Sequence, residues 1–354
     1  MEGRTAIRLY HQDEEEAIND LFNSVFQLHR PLLHWRWKFL ETGAAPVPLI
    51  YVAENDGKLV GAFPTIPVRF QVADRTLVVA QSVDNCILPE YRKGGTQRSM
   101  YRAFADRMRE MGAGFVFGFP NEMHFKVGKK LFGYRDLCPL SILQKRLNFR
   151  RAVRLRIPSK SLERLAARVS NWGYRLRYAR GYAVSSEIQI EPVSQFDAAF
   201  DVFWQEVSRL FPILTVRDRS YLQWRYGTNP NAPFSVLRAA RDGQMAGYLI
   251  SKTTESDSGE RSTNILDLLT LDNAVSRALI RRAIVLALDD RADNMKIGLL
   301  KHNPDWDVLW SEGFVDKSQS RIAAYVMYDQ SLESLGLTQA ANWFLTLGDT
   351  DFLG

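Results

Sequence analysis

The sequence predicts a mixed-sheet α/β fold, of the α+β kind, present in two consecutive copies. Three observations predict it. A strand-like run, "RTLVVAQSVDNCI", passes through the glycine-containing turn "LPEYRKGGTQ" into the amphipathic "TQRSMYRAFADRMREMG", so a strand leads tightly into a helix. Two strand-like runs precede that strand and make with it a group of three, as in an antiparallel meander. Landmarks of the first half also recur in the second: Trp35, Arg36 and Trp37 match Trp224, Arg225 and Tyr226, Gly57 matches Gly243, Gly61 matches Gly247, and Tyr134 matches Phe314. Separations of roughly 180 to 190 residues are those of one fold written twice.

Taken in order, the first copy opens on "AIRLY", which alternates as a half-buried strand does, and enters "EEAINDLFNSVF", acidic at its start and apolar at helical spacing. "PLIYVAE" and "LVGAFPTIPVRFQV", parted by the turn at Gly57, and then "TLVVAQSVDNCIL" are rich in β-branched and apolar residues and form the meander. "TQRSMYRAFADRMREM" is the helix after the glycine turn and "FVFGF" the next strand; "HFKVGKKLF" is a helix closed by a glycine, and "SILQKRLNF" is the last strand. The order repeats from about Ile188. The expected domains are residues 1–150 and 185–330, joined by a connector over 151–184 in which "PSKSLERLAARVSNWG" reads as a short helix, with a tail over 331–354.

A chain of 354 residues can bury two cores. Its 46% hydrophobic and 24% charged composition is that of an ordered globular protein. The N-terminal stretch has no apolar segment of the secretory kind, and no apolar run approaches the roughly 18 residues of a membrane span, so the expected location is the cytoplasm. Cys86 and Cys138 are too few for a disulfide framework and read as packed thiols, and the five histidines lack metal-ligand spacing, so no metal is expected. The net charge of +6 is concentrated: Ser141 to Tyr182 carries twelve Lys or Arg against one acid, Glu163. Such a segment suits nucleic acid, an anionic membrane surface or a polyanionic substrate, or it is simply a solvated connector.

The glycines of "LPEYRKGGTQ" have a physical use. The free amides at the start of a helix carry the positive end of its dipole, and glycine lets a phosphate come close to them. The stretch is not a P-loop, since no Gly-Lys-Ser/Thr follows, and not a dinucleotide fingerprint, since the third glycine is missing. It resembles the acyl-CoA loop of the GNAT superfamily of N-acyltransferases, roughly Pro-x-Tyr-Arg-x-x-Gly-x-Gly or Ala. Pro89, Tyr91, Arg92 and Gly95 match, while Gln97 stands where the family has a small residue. Downstream, "GFVFGFPNEMHFKVGKKLFGYR" is similar to the family's next strand, the Asn beyond it, and a helix ending in Gly-aromatic.

The resemblance covers about residues 5 to 150, with a fainter copy from about Ile188 to Tyr328. This is similar to tandem-GNAT proteins, some of them linked to bacterial surface polysaccharide synthesis. It implies two tandem GNAT-like folds and acetyl-CoA as acyl donor. The diphosphate would lie on Arg92, Lys93, Gly94, Gly95, Thr96 and Gln97; the pantetheine arm would meet the main chain of Ile87 and Leu88, with Asn121 beside it. The second copy has no glycine in "NILDLLTLDNAVSRALIRRAIVLAL" and is expected to bind no CoA.

The implied reaction is direct attack of an acceptor amine on a thioester, the acceptor being a small molecule or an amino sugar. It needs alignment, a donor to the carbonyl oxygen, and removal of a proton from the ammonium. Asp84, in "SVDNC", is the first candidate for base or acceptor anchor, or else a polar residue closing the strand; an ordinary carboxylate is a poor base, so a water relay is expected. The family's usual acid, a helix tyrosine, has Lys129 near its place and is not carried over. His124 is a further catalytic candidate or a surface residue, and Asp267 faces the acceptor or forms a structural salt bridge. The tail could dock Trp343 and Phe344 and leave Asp349 and Asp351 near a cleft; the Trp-Arg-aromatic repeats read as packed helices with Arg36 and Arg225 pairing locally.

Two other readings stay open. An aminoacyl transferase of the FemABX kind, using aminoacyl-tRNA, has the basic connector in its favour and the Arg92–Gly95 loop against it. A non-enzymatic module binding nucleic acid or a membrane surface rests on the connector alone. Within the leading reading nucleic acid is not an expected partner, and the connector's peripheral contact with an anionic membrane is left open.

Overall fold

The computed structural model describes residues 5–148 apart from 46 and 94, residues 169, 172 and 173, and residues 187–351. The expected connector helix and most of the basic segment lie outside the described residues. The first half runs β1 (Ala6–Leu9), α1 (Glu15–Phe26), α2 (Leu32–Phe39), β2 (Ile50–Asn55), β3 (Lys58–Val72), β4 (Arg75–Ser82), β5 (Cys86–Ile87), α3 (Thr96–Glu110), β6 (Phe115–Gly118), α4 (Glu122–Phe132) and β7 (Arg135–Arg146). The second runs β8 (Ile188–Pro192), α5 (Ala198–Val207), β9 (Ile213–Thr215), α6 (Arg219–Leu222), β10 (Ser235–Arg241), β11 (Gln244–Glu255), β12 (Arg261–Thr270), α7 (Asn273–Asp289), β13 (Asn294–Leu300), α8 (Trp306–Ser311), β14 (Val315–Met327) and β15 (Trp343–Phe344).

The first hairpin of each meander is turned by the same dipeptide. Asp56 and Gly57 have φ of 49° and 77°, Asp242 and Gly243 51° and 76°. Positive φ at both central positions gives the turn whose twist matches that of the flanking strands, and Asp-Gly adopts it at little cost.

All these hairpins join one mixed sheet, in the order β1-β2-β3-β4-β6-β14-β7-β13-β12-β11-β10-β8. Its centre is built by exchange. β7 pairs with β13 on one side and with β14 on the other, while β14 goes on to pair with β6. β7 of the first half and β14 of the second are therefore each hydrogen-bonded to strands of the other half. β4 and β6 run parallel, with Ala80 opposite Val116 and Gln81 opposite Phe117. Beyond that point they part: the chain after β4 swings away and, as β5, pairs with Gly61 and Ala62 of β3. A wedge opens in the sheet there.

The two halves also meet through their tryptophans. The Trp37 indole donates to the Trp224 carbonyl at 2.7 Å, the Trp224 indole donates back to the Trp37 carbonyl at 2.9 Å, and the rings stack with centroids 5.6 Å apart. Both rings are buried, so their N–H groups need such partners. Arg36 pairs with Glu15 of α1 as a local contact. Arg225 does not pair locally: it is buried and donates to the carbonyls of Gly348, at 3.1 Å, and Thr350 in the C-terminal tail. Among the described residues no helix is long and apolar enough to cross a membrane.

Candidate active site

A cleft of about 540 Å³ fills the wedge. One wall follows the chain from Gln81 through Ile87 to Arg92; the other follows Gly118 through Asn121 to His124, with Gln97 and Met100 of α3 at one end and α1 at the other.

At the α3 end, Gly95 is the N-terminal cap residue at φ +82°, and no side chain caps the helix. The N–H groups of Thr96, Gln97 and Arg98 thus have no intrahelical acceptor. A Cβ at Gly95 would meet nothing within 4 Å, so the turn is open. Arg92 lines the cleft and donates from Nε to the Ile87 carbonyl at 3.0 Å. Thr96 is buried at the first turn, Lys93 is exposed and outside the lining, and Gly94 lies outside the described residues. The second half treats its equivalent helix oppositely. Asp272 caps α7, accepting from the N–H groups of Ala274 at 2.9 Å and Val275 at 3.0 Å, and is itself paired with Arg241. An acid stands where an anion would have to bind.

Main-chain groups in the wedge sort by register. The N–H of Leu88 bonds the Val60 carbonyl at 2.9 Å, so the expectation that Leu88 presents main chain to a ligand is corrected: its donor belongs to the sheet. Groups alternate sides in an antiparallel pair, which turns the N–H of Ile87 the other way, into the wedge.

Asp84 lies on the wall at φ +53°. Its Oδ2 accepts from Arg30 at 2.6 Å and Lys38 at 2.8 Å. Burial alone would raise its pKa, but the Lys38 ammonium and the Arg30 guanidinium outweigh it and hold the carboxyl below its ordinary value. A carboxylate kept ionised by two cations takes up protons poorly. The base role expected for Asp84 is therefore corrected; what remains open to it is that of an electrostatic anchor.

Asn121 caps α4, its Oδ1 accepting the His124 N–H at 2.8 Å. His124 is half-buried, and burial lowers its pKa, which leaves the imidazole neutral near pH 7. Its Nε2 lies 3.4 Å from the Tyr134 hydroxyl. Tyr134 is the residue the sequence reading missed. Gly133, at φ +74°, ends α4 in the left-handed conformation and turns the chain back, so that the Tyr134 ring lies against Gly128. The ring reaches the cleft, and burial pushes the phenol up to about 12, partly opposed by a hydrogen bond with Ser82. Lys129, near the family tyrosine's place, forms a surface pair with Asp136 at 2.6 Å. A glycine in mid-helix five residues before Gly-Tyr was the available signal: it leaves room for a ring.

Asp267 is not at the cleft. It is 1% exposed and bound to Arg217 at 3.0 Å, to the Tyr248 hydroxyl at 3.1 Å and to Thr346 at 3.2 Å. The acceptor role expected for it is corrected, because no substrate reaches a carboxylate enclosed in this way. Arg217 also holds Asp349 at 2.7 Å, fastening the tail, and the Asp349 carbonyl accepts from Gln81 at 2.8 Å. Two residues on, Asp351 lines the cleft.

Comparison with known proteins bears on the fold. Residues 6–134 match the family model described as "Acetyltransferase (GNAT) domain". No curated protein sequence matches the chain. Among solved structures, a GCN5-related N-acetyltransferase from Anabaena variabilis is similar with a TM-score of 0.64 at 13% identity, over 92% of this chain and 73% of that one. One from Kribbella flavida gives 0.64 at 13%, over 94% and 73%. Eis1 from Mycobacterium abscessus gives 0.56 at 14%, over 92% and 73%. At such identities the likeness is one of fold. Residues 6–134 are thus similar to a GNAT acetyltransferase domain, and the chain shares the fold of these N-acetyltransferase structures.

Proposed function

We propose that the chain transfers an acyl group, in the first instance acetyl, from CoA to an amine by direct attack. The observation that carries this is the uncapped start of α3 at the mouth of the parted strands. Acetyl-CoA supplies the acyl group as a thioester. The N–H groups of Thr96, Gln97 and Arg98, with Arg92, hold its diphosphate, and the Ile87 N–H donates to the thioester carbonyl oxygen. Neutral His124 removes a proton from the acceptor ammonium, directly or through water. The nitrogen lone pair forms the C–N bond as the C–S bond breaks, and Tyr134 gives its proton to the departing thiolate. The first proton passes on to solvent; as the amide forms, His124 takes the second proton from the nitrogen, and its contact with Tyr134 returns that proton to the phenolate. Cys86 is not the nucleophile of an acyl-enzyme: burial pushes its thiol up to about 12.

The shared element order and the matched turns support reading the halves as tandem copies of this fold, the first catalytic and the second closed to CoA by Asp272, in a cytoplasmic protein. Calorimetry with acetyl-CoA tests the donor. Saturable binding in the micromolar range is expected, and Gly95→Trp, whose side chain would fill the open turn, should abolish it. Absence of saturable binding by the parent protein at micromolar concentration would sink the proposal.

A further inference from the structure

The acceptor end of the cleft has its own chemistry. Along one wall the chain runs from Gln81 to the diphosphate end at Arg92, so the opposite end, beside α1, is where an acceptor enters. That end is apolar and open. Phe26 and Leu28 are 45% and 51% exposed yet line this cleft, with Phe22 and Val25 behind them, while Met123, 76% exposed, lines the other wall. The Phe22 and Phe26 rings lie 4.7 Å apart as one surface. Gln27, left-handed at φ 55°, ends α1 and brings Leu28 round beside them. Single exposed apolar residues are ordinary on a protein; several gathered on one concave wall mark a binding surface.

The polar side chains near this wall face elsewhere. Asn23 exchanges hydrogen bonds with the Arg30 main chain at 2.9 and 3.1 Å, and Arg30 and Lys38 are both on Asp84. A ring of sugar hydroxyls would find few partners here. One oxygen suits a cationic nitrogen instead. Asn85 Oδ1 is buried in the cleft lining with no hydrogen-bond partner.

We propose that the acceptor is a primary amine carried on an apolar body, aromatic or aliphatic, rather than on a polyhydroxylated one. Its body lies on Phe22, Val25, Phe26 and Leu28, with Met123 across from them, and its ammonium faces Asn85. This rests on the acyltransferase reading and names the substrate class of the same site. The nitrogen gives up two protons, one to solvent before attack and one, through the protein's acid and base, to the departing sulfur; it takes the acyl carbon as the C–S bond breaks, and CoA leaves as the thiol.

The test uses the full chain with acetyl-CoA, reading thiol release with 2-phenylethylamine, hexylamine, ethanolamine and glucosamine, and acetyl-CoA affinity by calorimetry on the same preparations. The phenyl and hexyl amines should exceed ethanolamine and glucosamine at least about 30-fold in kcat/KM. Phe26→Asp should reduce that preference at least about tenfold, through KM, with acetyl-CoA affinity within twofold of the parent. Equal or better turnover of glucosamine would overturn the inference, as would a preference that Phe26→Asp leaves intact. So would octanoyl-CoA outpacing acetyl-CoA in the parent but not in Phe26→Asp, since the wall would then serve the acyl chain. If CoA binds in a Gly95-dependent way and only the amine preference fails, this inference falls alone; if CoA does not bind, both fall together.

Discussion

Gly128→Ala probes the arrangement of α4 and Tyr134 with a single methyl group. An ideal Cβ at that position would lie 2.3, 2.5 and 2.7 Å from three carbons of the Tyr134 ring. Contacts between carbons settle near 3.5 to 4.0 Å, so the ring must retreat by roughly 1 Å. Helix stability opposes little of this change, since alanine in a helix interior is favoured over glycine by about 1 kcal/mol. The folded protein should therefore survive with its phenol displaced from the cleft. A misplacement of about 1 Å at a reacting group costs on the order of 100-fold in rate. The assay is kcat by thiol release at saturating acetyl-CoA and amine, with acetyl-CoA affinity measured separately. Affinity should be unchanged, because α3 and Arg92 are untouched, while kcat falls to about a hundredth. Tyr134→Phe should show a loss of similar size, within the roughly 100- to 10,000-fold range of general acid catalysis. A folded Gly128→Ala protein whose kcat stays within threefold of the parent would refute the assignment of Tyr134 to the reaction.

Two pH predictions accompany it. The working form of His124 is neutral and burial lowers its pKa from 6.5, so kcat should be level at neutral pH and fall on acidification with a midpoint below 6.5; His124→Gln should lack that limb, and a midpoint above 7 would exclude the imidazole as base. Tyr134, pushed up to about 12, should contribute no alkaline fall below about pH 10. Separately, burial raises the Asp305 carboxyl from 3.8 to about 6. The native state then binds the proton more tightly than the unfolded chain, so the stabilisation is full below pH 3.8, declines as pH rises, and is gone above about 6, an effect of roughly 3 kcal/mol. Asp305→Asn should flatten denaturant-measured stability across that window, and an unchanged slope would show the aspartate is not its source.

Much of the fold was legible because its signals are local. The α1 span Glu15–Phe26 coincides with the sequence reading, as periodicity and acidic start both mark it. The Asp-Gly turns at 56–57 and 242–243 need positive φ and show it. The open turn before α3 was legible for the same reason, since Gly95 answers to a backbone demand. What escaped depends on distant partners. Asp84 and Asp267 look alike in sequence, each a carboxylate among apolar neighbours, and only the arrival of Lys38 and Arg30 at one and Arg217 at the other decides their roles. Tyr134 escaped because its position is set by the room above Gly128, across a helix end. The exchange of β7 and β14 has no sequence signature, since either strand would satisfy either sheet by its pattern of apolar residues.

That exchange bears on how the protein can be dissected. A fragment ending near residue 150 would carry the cleft residues of the first half but leave β6 without β14 and β7 without either neighbour. β7 would become a bare ribbon of unsatisfied amides and β6, still held by β4, an exposed edge, and both are prone to pair between copies. Cutting the connector while keeping both pieces is a gentler operation, and coexpressed fragments have a route to reassembly that neither has alone. The clasped centre makes the chain a single structural unit: the second half supplies the seam on which the first half's strands close.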